Sequence, residues 1–177
     1  MYQGVNKKAC ASQRQIADAL LALMSERSFA ELTVSEICQK AGVSRQTFYS
    51  LFRSKENVVC YLLRQDCCEA PGSECSKTDA LLNLCASYSG YVMRQRALLR
   101  LLADHHIMQL LHGILLETFS DCACFGSFVR EELRPYAADY VASALTSIAE
   151  TFVRGGTEDE KLEQIAYSLL KGEFFLD

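Results

Sequence analysis

The chain has 177 residues, of which 50% are hydrophobic, 23% are charged and nine are cysteines; its net charge is +4 over residues 1–65 and −8 over residues 66–177. No stretch approaches the ~18 uncharged apolar residues of a membrane span, and the N-terminus lacks the apolar core of an export signal, so we expect a cytoplasmic protein without a disulfide framework. A basic segment followed by an acidic one is typical of a protein that attracts nucleic acid at one end only.

The first predicted elements are two helices, the second of which ends in a tight turn. Over residues 10–27 the apolar side chains recur at helical spacing: Ile16, Ala19, Leu20, Leu23 and Met24. Thr33 and Glu36 then form a T-x-x-E capping box, in which the hydroxyl accepts a backbone N–H and the carboxylate reaches back. Gly42 follows where a left-handed residue ends a helix, which predicts a second helix over residues 33–41.

A short third helix is predicted over residues 45–52, with Ser44 as its N-cap. At about 100° per residue, the apolar side chains fall on one face: Phe48, Leu51 and Phe52. The opposite face carries hydrogen-bonding groups: Arg45, Gln46, Tyr49 and Ser50, with Thr47 at the border. Two helices joined by a glycine turn, with this division of faces, are the layout of a helix-turn-helix DNA-binding motif.

The polar face suits the two kinds of contact that DNA offers. A guanidinium can pair with guanine and a Gln amide with adenine, so Arg45 and Gln46 are predicted to read bases. Hydroxyl groups suit phosphate oxygens, which assigns contacts with the DNA backbone to a larger set: Thr33, Ser44, Thr47, Tyr49 and Ser50. Lys55 is predicted to meet a phosphate at the N-terminus of the next helix, where backbone N–H groups already favour an anion.

The segment from Thr33 to Glu56, TVSEICQKAGVSRQTFYSLFRSKE, resembles the DNA-binding segment of the TetR family of transcriptional regulators. The positions that carry the resemblance are Thr33, Ile37, Ala41, Gly42, Val43, Ser44, Thr47, Phe48, Tyr49, Phe52, Lys55 and Glu56. The R-Q-T-F-Y form of the third helix is similar to a subgroup that includes regulators of dihydroxyacetone metabolism.

The resemblance implies an all-α protein in two parts. A helix-turn-helix DNA-binding domain would occupy residues 1–54, and a helical bundle for ligand binding and dimerisation would occupy residues 55–177. The resemblance also implies a dimeric repressor that binds double-stranded DNA at a palindromic operator and is released by an unknown small-molecule effector. Two copies related by a two-fold axis can read half-sites about one turn (~34 Å) apart.

Further helices are predicted over residues 78–92, 97–102 and 107–119, and they would enclose the effector. Ligand pockets are mostly apolar with a few polar groups, which selects five candidate ligand-binding residues: Tyr88, Tyr91, Met108, His112 and Phe119. The other interpretation of these residues is ordinary core packing. Because the chain is short for the family, a small pocket and a signal from a partner protein both stay open.

The last two predicted helices, over residues 135–154 and 162–170, carry more apolar surface than a single neighbouring helix can cover. In the TetR family the final helices of two subunits form a four-helix bundle. We therefore predict a homodimer that pairs through residues 135–172.

Sequence motifs for a metal site or an enzyme active site are weaker in this chain than the helix-turn-helix motif. His105 and His112 fall on one helical face with Asp104 and His106 nearby, but the compact ligand spacing of zinc sites is absent. We therefore predict neither a metal nor a cofactor. The sequence contains no G-x-S-x-G, no phosphate-binding glycine loop and no paired carboxylates on a predicted pocket wall, so we do not expect an enzyme.

The cysteines leave a thiol-redox regulator as an alternative. The candidate thiols are Cys122 and Cys124, and the vicinal pair Cys67 and Cys68 with Cys75. Reactive thiols need an electropositive and accessible setting, whereas acidic residues adjoin these positions. Cys38 and Cys85 lie on apolar stripes and are predicted to be small buried residues.

Overall fold

The computed structural model describes residues 7–65, 77–122, 125–126, 129–156 and 158–172. Every regular element in those ranges is helical, so the predicted all-α fold is confirmed. The chain forms two compact units, Met1–Gln65 and Asp66–Asp177, which we term the head and the body. The head includes the helix that begins at Lys55, and the functional boundary predicted between residues 54 and 55 stays a prediction.

Each unit is a succession of helices and short helical turns. The head contains α1 (Lys7–Met24), a 3-10 turn (Phe29–Glu31), α2 (Val34–Ala41), α3 (Arg45–Leu51) and α4 (Lys55–Arg64). The body contains α5 (Lys77–Arg94), α6 (Arg96–Asp104), α7 (Gln109–Asp121), a 3-10 turn (Glu131–Leu133), α8 (Arg134–Thr151), a π-helical segment (Phe152–Gly156), a 3-10 turn (Asp159–Lys161) and α9 (Leu162–Lys171). In the head, α1 packs against α2, α3 and α4; in the body, α7 packs along α8, and α9 packs on α5.

The starts of α2, α3 and α4 lie where the sequence predicts them, whereas α1 spans Lys7–Met24 instead of the predicted residues 10–27. The Thr33 hydroxyl accepts from the Glu36 N–H and the Glu36 carboxylate accepts from the Thr33 N–H, so the predicted capping box is confirmed. Gly42 ends α2 with a φ of 67°, a left-handed conformation that costs glycine little. Ser44 and Ser54 cap α3 and α4 by accepting backbone N–H groups. These caps fix the start of each helix in the motif.

Aromatic rings join α3 to α4 inside the head. Phe48 and Phe52 are at most 1% exposed, and their ring centroids lie 6.0 Å apart. The Phe52 ring meets Tyr61 of α4 edge to face at 5.5 Å. From α1, Ile16 and Leu20 are fully buried at 0% exposure. Because each fully buried side chain of this size contributes about 1.5–3 kcal/mol, these residues hold α3 at a fixed position in the head.

Glu36 binds both the start of α2 and Arg27, in the turn after α1. Its Oε2 accepts from the Thr33 hydroxyl at 2.7 Å, and its Oε1 accepts from Arg27 Nη1 at 2.7 Å. Hydrogen bonds from the Thr33 side chain and backbone, followed by that from Arg27, lower the pKa of Glu36 from 4.5 to about 2. The carboxylate form is therefore part of the folded head at neutral pH.

The lowered pKa of Glu36 predicts an acid-dependent loss of head stability. The stabilisation is present above pH 4.5 and is lost as the pH falls towards about 2. Glu36→Gln is expected to lower head stability at neutral pH and to flatten this dependence. Urea unfolding followed by hydrogen exchange of head amides at several pH values measures it. Glu31→Gln changes an exposed carboxylate of the same head and serves as the control; an equal flattening in both variants contradicts the prediction.

Two arginines form reciprocal hydrogen bonds between α6 and the segment after α8. Arg100 Nη1 donates to the carbonyl of Val153 at 2.6 Å, and Arg154 Nη2 donates to the carbonyl of Ala103 at 2.9 Å. Gly155, with a φ of 104°, lets the chain turn directly after Arg154. Each guanidinium thus bonds to a carbonyl near a helix end, and the Ala103 carbonyl also accepts from the His106 N–H at 3.2 Å.

Within the described ranges, no helix is both long enough and apolar enough to cross a bilayer.

Candidate nucleic-acid interface

Helix α3 turns its polar side chains away from the head core. Phe48 and Leu51 are buried, whereas Arg45 and Gln46 are exposed and Tyr49 is 57% exposed. The Tyr49 ring packs edge to face on Phe48 with a centroid distance of 5.5 Å, which supports the phenol from below. Among the described residues, the side chains of Arg45, Gln46 and Tyr49 have no hydrogen-bond partner in the protein. The predicted division of α3 into two faces is confirmed.

Apart from Tyr49, the hydroxyl groups predicted to contact phosphates already bond within the head. Thr33 Oγ1 donates to Glu36 Oε2 at 2.7 Å, and Ser50 Oγ donates to the Thr47 carbonyl at 2.8 Å. Ser44 Oγ and Thr47 Oγ1 lie 2.9 Å apart, so one hydroxyl donates its proton to the other. The accepting hydroxyl can still donate its own proton to a ligand. These side chains therefore cap α2 and α3 and leave one hydroxyl donor at the start of α3.

The ammonium group of Lys55 lies among backbone carbonyls of the head. Its Nζ is 2.6 Å from the oxygen of Phe29, 3.2 Å from that of Ala30 and 2.9 Å from that of Leu32. It also lies 4.6 Å from the centre of the Phe29 ring. An ammonium has three N–H donors, and these carbonyls accept all three. The phosphate contact predicted for Lys55 stays a prediction; the acceptors, 23 to 26 residues earlier, have no signal in the local sequence.

The predicted ligand-binding residues lie in the body, most of them deeply buried. Four are at most 6% exposed: Tyr88, Tyr91, Met108 and Phe119. The Tyr88 hydroxyl donates to the carbonyl of Leu145. His112 is half-buried, and its Nε2 lies 3.2 Å from Ser143 Oγ and 3.3 Å from Asp139 Oδ1. A ligand at this place would have to compete with these partners.

A groove of about 120 Å³ lies between α8 and α9. Its lining residues are Ser147, Ile148, Thr151, Phe152, Leu162, Ile165 and Leu169. None of the five predicted ligand-binding residues lines it, and it is smaller than the 300–1,000 Å³ typical of small-molecule pockets. The sequence signal for it is the apolar spacing of the last two helices, which we assigned to pairing.

Two buried thiols, Cys38 and Cys85, are poorly suited to redox chemistry. Burial raises the pKa of the Cys38 thiol, and burial together with Glu163 raises the pKa of the Cys85 thiol to about 11. Both therefore stay protonated at neutral pH, when thiolate is the reactive form. Of the thiols predicted as redox candidates, the structure describes Cys122 alone. The remaining candidates lie outside the described residues: Cys67, Cys68, Cys75 and Cys124. In the described part of the chain, no cluster of three His, Cys, Asp or Glu side chains could hold a metal ion.

Comparison with known proteins agrees with the geometry of the head. Residues 16–61 match the family model of bacterial regulatory proteins of the tetR family. The HTH-type dhaKLM operon transcriptional activator DhaS of Lactococcus lactis subsp. lactis (strain IL1403) is 26% identical over 182 aligned residues, which cover 93% of this chain and 91% of that protein.

Solved structures of similar proteins share the fold over both units. The dihydroxyacetone kinase operon activator DhaS gives a TM-score of 0.52 at 19% identity, over 92% of this chain and 95% of that one. A TetR-like transcriptional regulator from Rhodococcus sp. RHA1 gives a TM-score of 0.56 at 17% identity, over 92% and 94% of the two chains. The match over residues 16–61 and the outward polar face of α3 identify the head as a helix-turn-helix DNA-binding domain of the TetR family, and over its length the chain resembles TetR-family transcriptional regulators, among them DhaS.

Proposed function

We propose that α3 enters the major groove of a palindromic operator, with Arg45 and Gln46 on base edges and Tyr49 on the phosphate backbone. The observation that carries this proposal is the exposure of these three side chains without a hydrogen-bond partner in the described protein. A buried aromatic layer beneath them holds α3 rigid, which base reading requires. The net +4 of residues 1–65 favours approach to DNA by this unit.

The hydroxyl residues take a supporting part in the proposal. Ser44 and Thr47 together offer one donor to a phosphate oxygen, while Thr33 and Ser50 keep the backbone of α2 and α3 in place. Phosphate contacts set the register on the duplex, and base contacts set the sequence.

Selection of bound sequences from random DNA with the purified full chain tests this function. Enriched sites are expected to contain two half-sites related by a two-fold axis, about one helical turn (~34 Å) apart. If no sequence is enriched over the input library, α3 does not read bases. Enrichment of a single asymmetric half-site would keep DNA reading and overturn the dimer.

The dimer is proposed to form through α8 and α9. Tyr136 and Tyr140 of α8 are 76% and 57% exposed, which is unusual for large aromatic side chains unless they meet a partner. The groove between α8 and α9 continues the same surface along α8. Two copies are needed because one α3 offers few base contacts.

Tyr140→Glu is expected to weaken the dimer at least ~10-fold and operator binding with it, because an interface would bury an unpaired carboxylate. Analytical ultracentrifugation over a concentration series measures the dissociation constant of the dimer. Leu82→Glu is the matched control, since Leu82 is 41% exposed on α5, outside the proposed interface. A Tyr140→Glu protein that dimerises as tightly as the unchanged chain places the interface elsewhere.

The direction of regulation has two candidates. The TetR resemblance favours a repressor that a small-molecule effector releases from its operator. The name of the Lactococcus lactis relative, a transcriptional activator, favours activation instead. A reporter gene behind the selected operator decides, because expression of the chain lowers the signal of a repressed promoter and raises that of an activated one.

The effector site is proposed among the five body residues predicted to bind a ligand, with His112 as its most accessible polar group. Operator affinity measured with and without small polar metabolites tests this site. The same assay with a thiol oxidant tests the redox alternative. If neither treatment changes the affinity of the purified chain but a cell extract does, regulation by a partner protein is favoured.

A further inference from the structure

We propose that Lys55 is a positioning residue that clamps together the two ends of the helix-turn-helix segment, and that it does not bind a phosphate. This inference rests on the proposed function, since it concerns how α3 is held for DNA reading. It follows from the contacts of one ammonium group with three backbone carbonyls in the head.

The acceptors of Lys55 lie directly before the motif, and Lys55 lies directly after it. Phe29, Ala30 and Leu32 precede Thr33, the N-cap of α2, while Lys55 is the first residue of α4. The segment from Thr33 to Ser54, which contains α2 and α3, is therefore closed by one side chain. Three hydrogen bonds of 2.6 to 3.2 Å hold this closure.

The chemistry of the closure suits a lysine. The carbonyls of Ala30 and Leu32 lie at the end of a 3-10 turn, where carbonyl oxygens carry a partial negative charge, and the Phe29 carbonyl accepts from the Leu32 N–H as well as from Lys55. A compact ammonium can donate to three oxygens that converge on one point, whereas a planar guanidinium favours parallel pairs. The Phe29 ring, 4% exposed, lies 4.6 Å from the same Nζ and adds a cation–π contact.

A phosphate could bind Lys55 only by displacing at least one carbonyl, because all three donors are engaged. Loss of the clamp, in contrast, would let the ends of α2 and α4 separate and would move α3, which lies between them in the chain. Base contacts depend on the position of α3 more strongly than non-specific attraction does. The two roles therefore differ in their effect on specificity and on salt dependence.

The test is Lys55→Met in the full chain, which keeps an unbranched stem near Phe29 and removes the donors. The unfolded fraction at a fixed urea concentration is expected to rise ~10-fold or more. At a temperature where both proteins are folded, affinity for the selected operator is expected to fall ~10-fold, with less than about a 2-fold change on unrelated DNA. The slope of log affinity against log salt is expected to stay unchanged.

The salt slope decides between the two roles. A slope that is shallower by about one, with equal losses on both DNAs, identifies a phosphate ligand and overturns the clamp. Unchanged urea stability also overturns it. Lys40→Met is the stability control, because the Lys40 ammonium pairs only with the exposed carboxylate of Glu26, at 2.9 Å, among the described residues; its unfolded fraction is expected to change less than about 3-fold.

A second variant covers the case in which Lys55→Met does not fold. Lys55→Arg keeps the charge that a phosphate needs and replaces the convergent donors by a planar fork. It is expected to lose part of both urea stability and operator preference, and unchanged values of both overturn the clamp. Because urea stability is measured without DNA, failure of operator binding by the unchanged chain would refute the proposed function and leave the clamp to be judged on stability.

Discussion

Replacing Arg45 with alanine is expected to weaken binding to the preferred operator by about 1–3 kcal/mol, roughly 5- to 150-fold, and to relax the base preference at one position of each half-site. The reason is that a guanidinium can donate a bidentate pair to a guanine edge, and alanine leaves those acceptors without a partner. Arg45 is exposed at the first position of α3, next to its N-cap Ser44, with no hydrogen-bond partner among the described residues. Competition binding with single-base operator variants measures both effects.

Arg53→Ala provides the matched loss of one positive charge. Arg53 is exposed between α3 and α4, after the C-cap of α3, and so lies outside the proposed base-reading face. It is expected to weaken binding to the operator and to unrelated DNA by the same factor. If Arg45→Ala behaves in the same way on every sequence, Arg45 contacts the phosphate backbone and another residue reads the base.

Phe48→Ala is expected to destabilise the head by about 3–5 kcal/mol and to abolish operator binding. Phe48 is 0% exposed and contacts the rings of both Tyr49 and Phe52, so its removal leaves a cavity beneath the polar face of α3. A loss of this size is a large fraction of the 5–15 kcal/mol that stabilises a typical domain. Hydrogen exchange of head amides against urea concentration measures the loss.

Tyr49→Ala is the control for the same helix, because it removes an aromatic ring that is 57% exposed. It is expected to cost the head less than about 1 kcal/mol and yet to weaken DNA binding, since the phenol faces the proposed groove. Equal destabilisation by the two substitutions would mean that α3 is not divided into a buried and a reading face, and the proposed function would lose its main support.

Features that depend on residues a few positions apart could be predicted from the sequence. The capping box of Thr33 and Glu36, the left-handed end at Gly42 and the caps at Ser44 and Ser54 all involve neighbours within one helical turn. The burial of Phe48 beside the exposure of Tyr49 follows from helical periodicity. These local rules account for the starts of α2, α3 and α4 and for the two faces of α3.

Features that join distant parts of the chain could not be predicted in this way. The partners of Lys55 lie 23 to 26 residues away, and the Tyr88 hydroxyl bonds to a carbonyl 57 residues away. Backbone carbonyls carry no side-chain signature, so no sequence pattern names them as acceptors. The same limit applies at the end of α8: a continuous helix was predicted to residue 154, but α8 ends at Thr151 and a π-helical segment follows.

The exchanged arginines of the body make two helix ends interdependent. Arg100 reaches from α6 to Val153, and Arg154 reaches back to Ala103, so both bonds span the same two segments. A movement that separates the two segments would strain both bonds; the Val153 carbonyl would then lose its Arg100 donor, while the Ala103 carbonyl would keep the His106 N–H. Arg100 and Arg154 therefore fasten the segment Phe152–Gly156 to the C-terminal end of α6 at two points, so that a displacement of this segment is transmitted to α6.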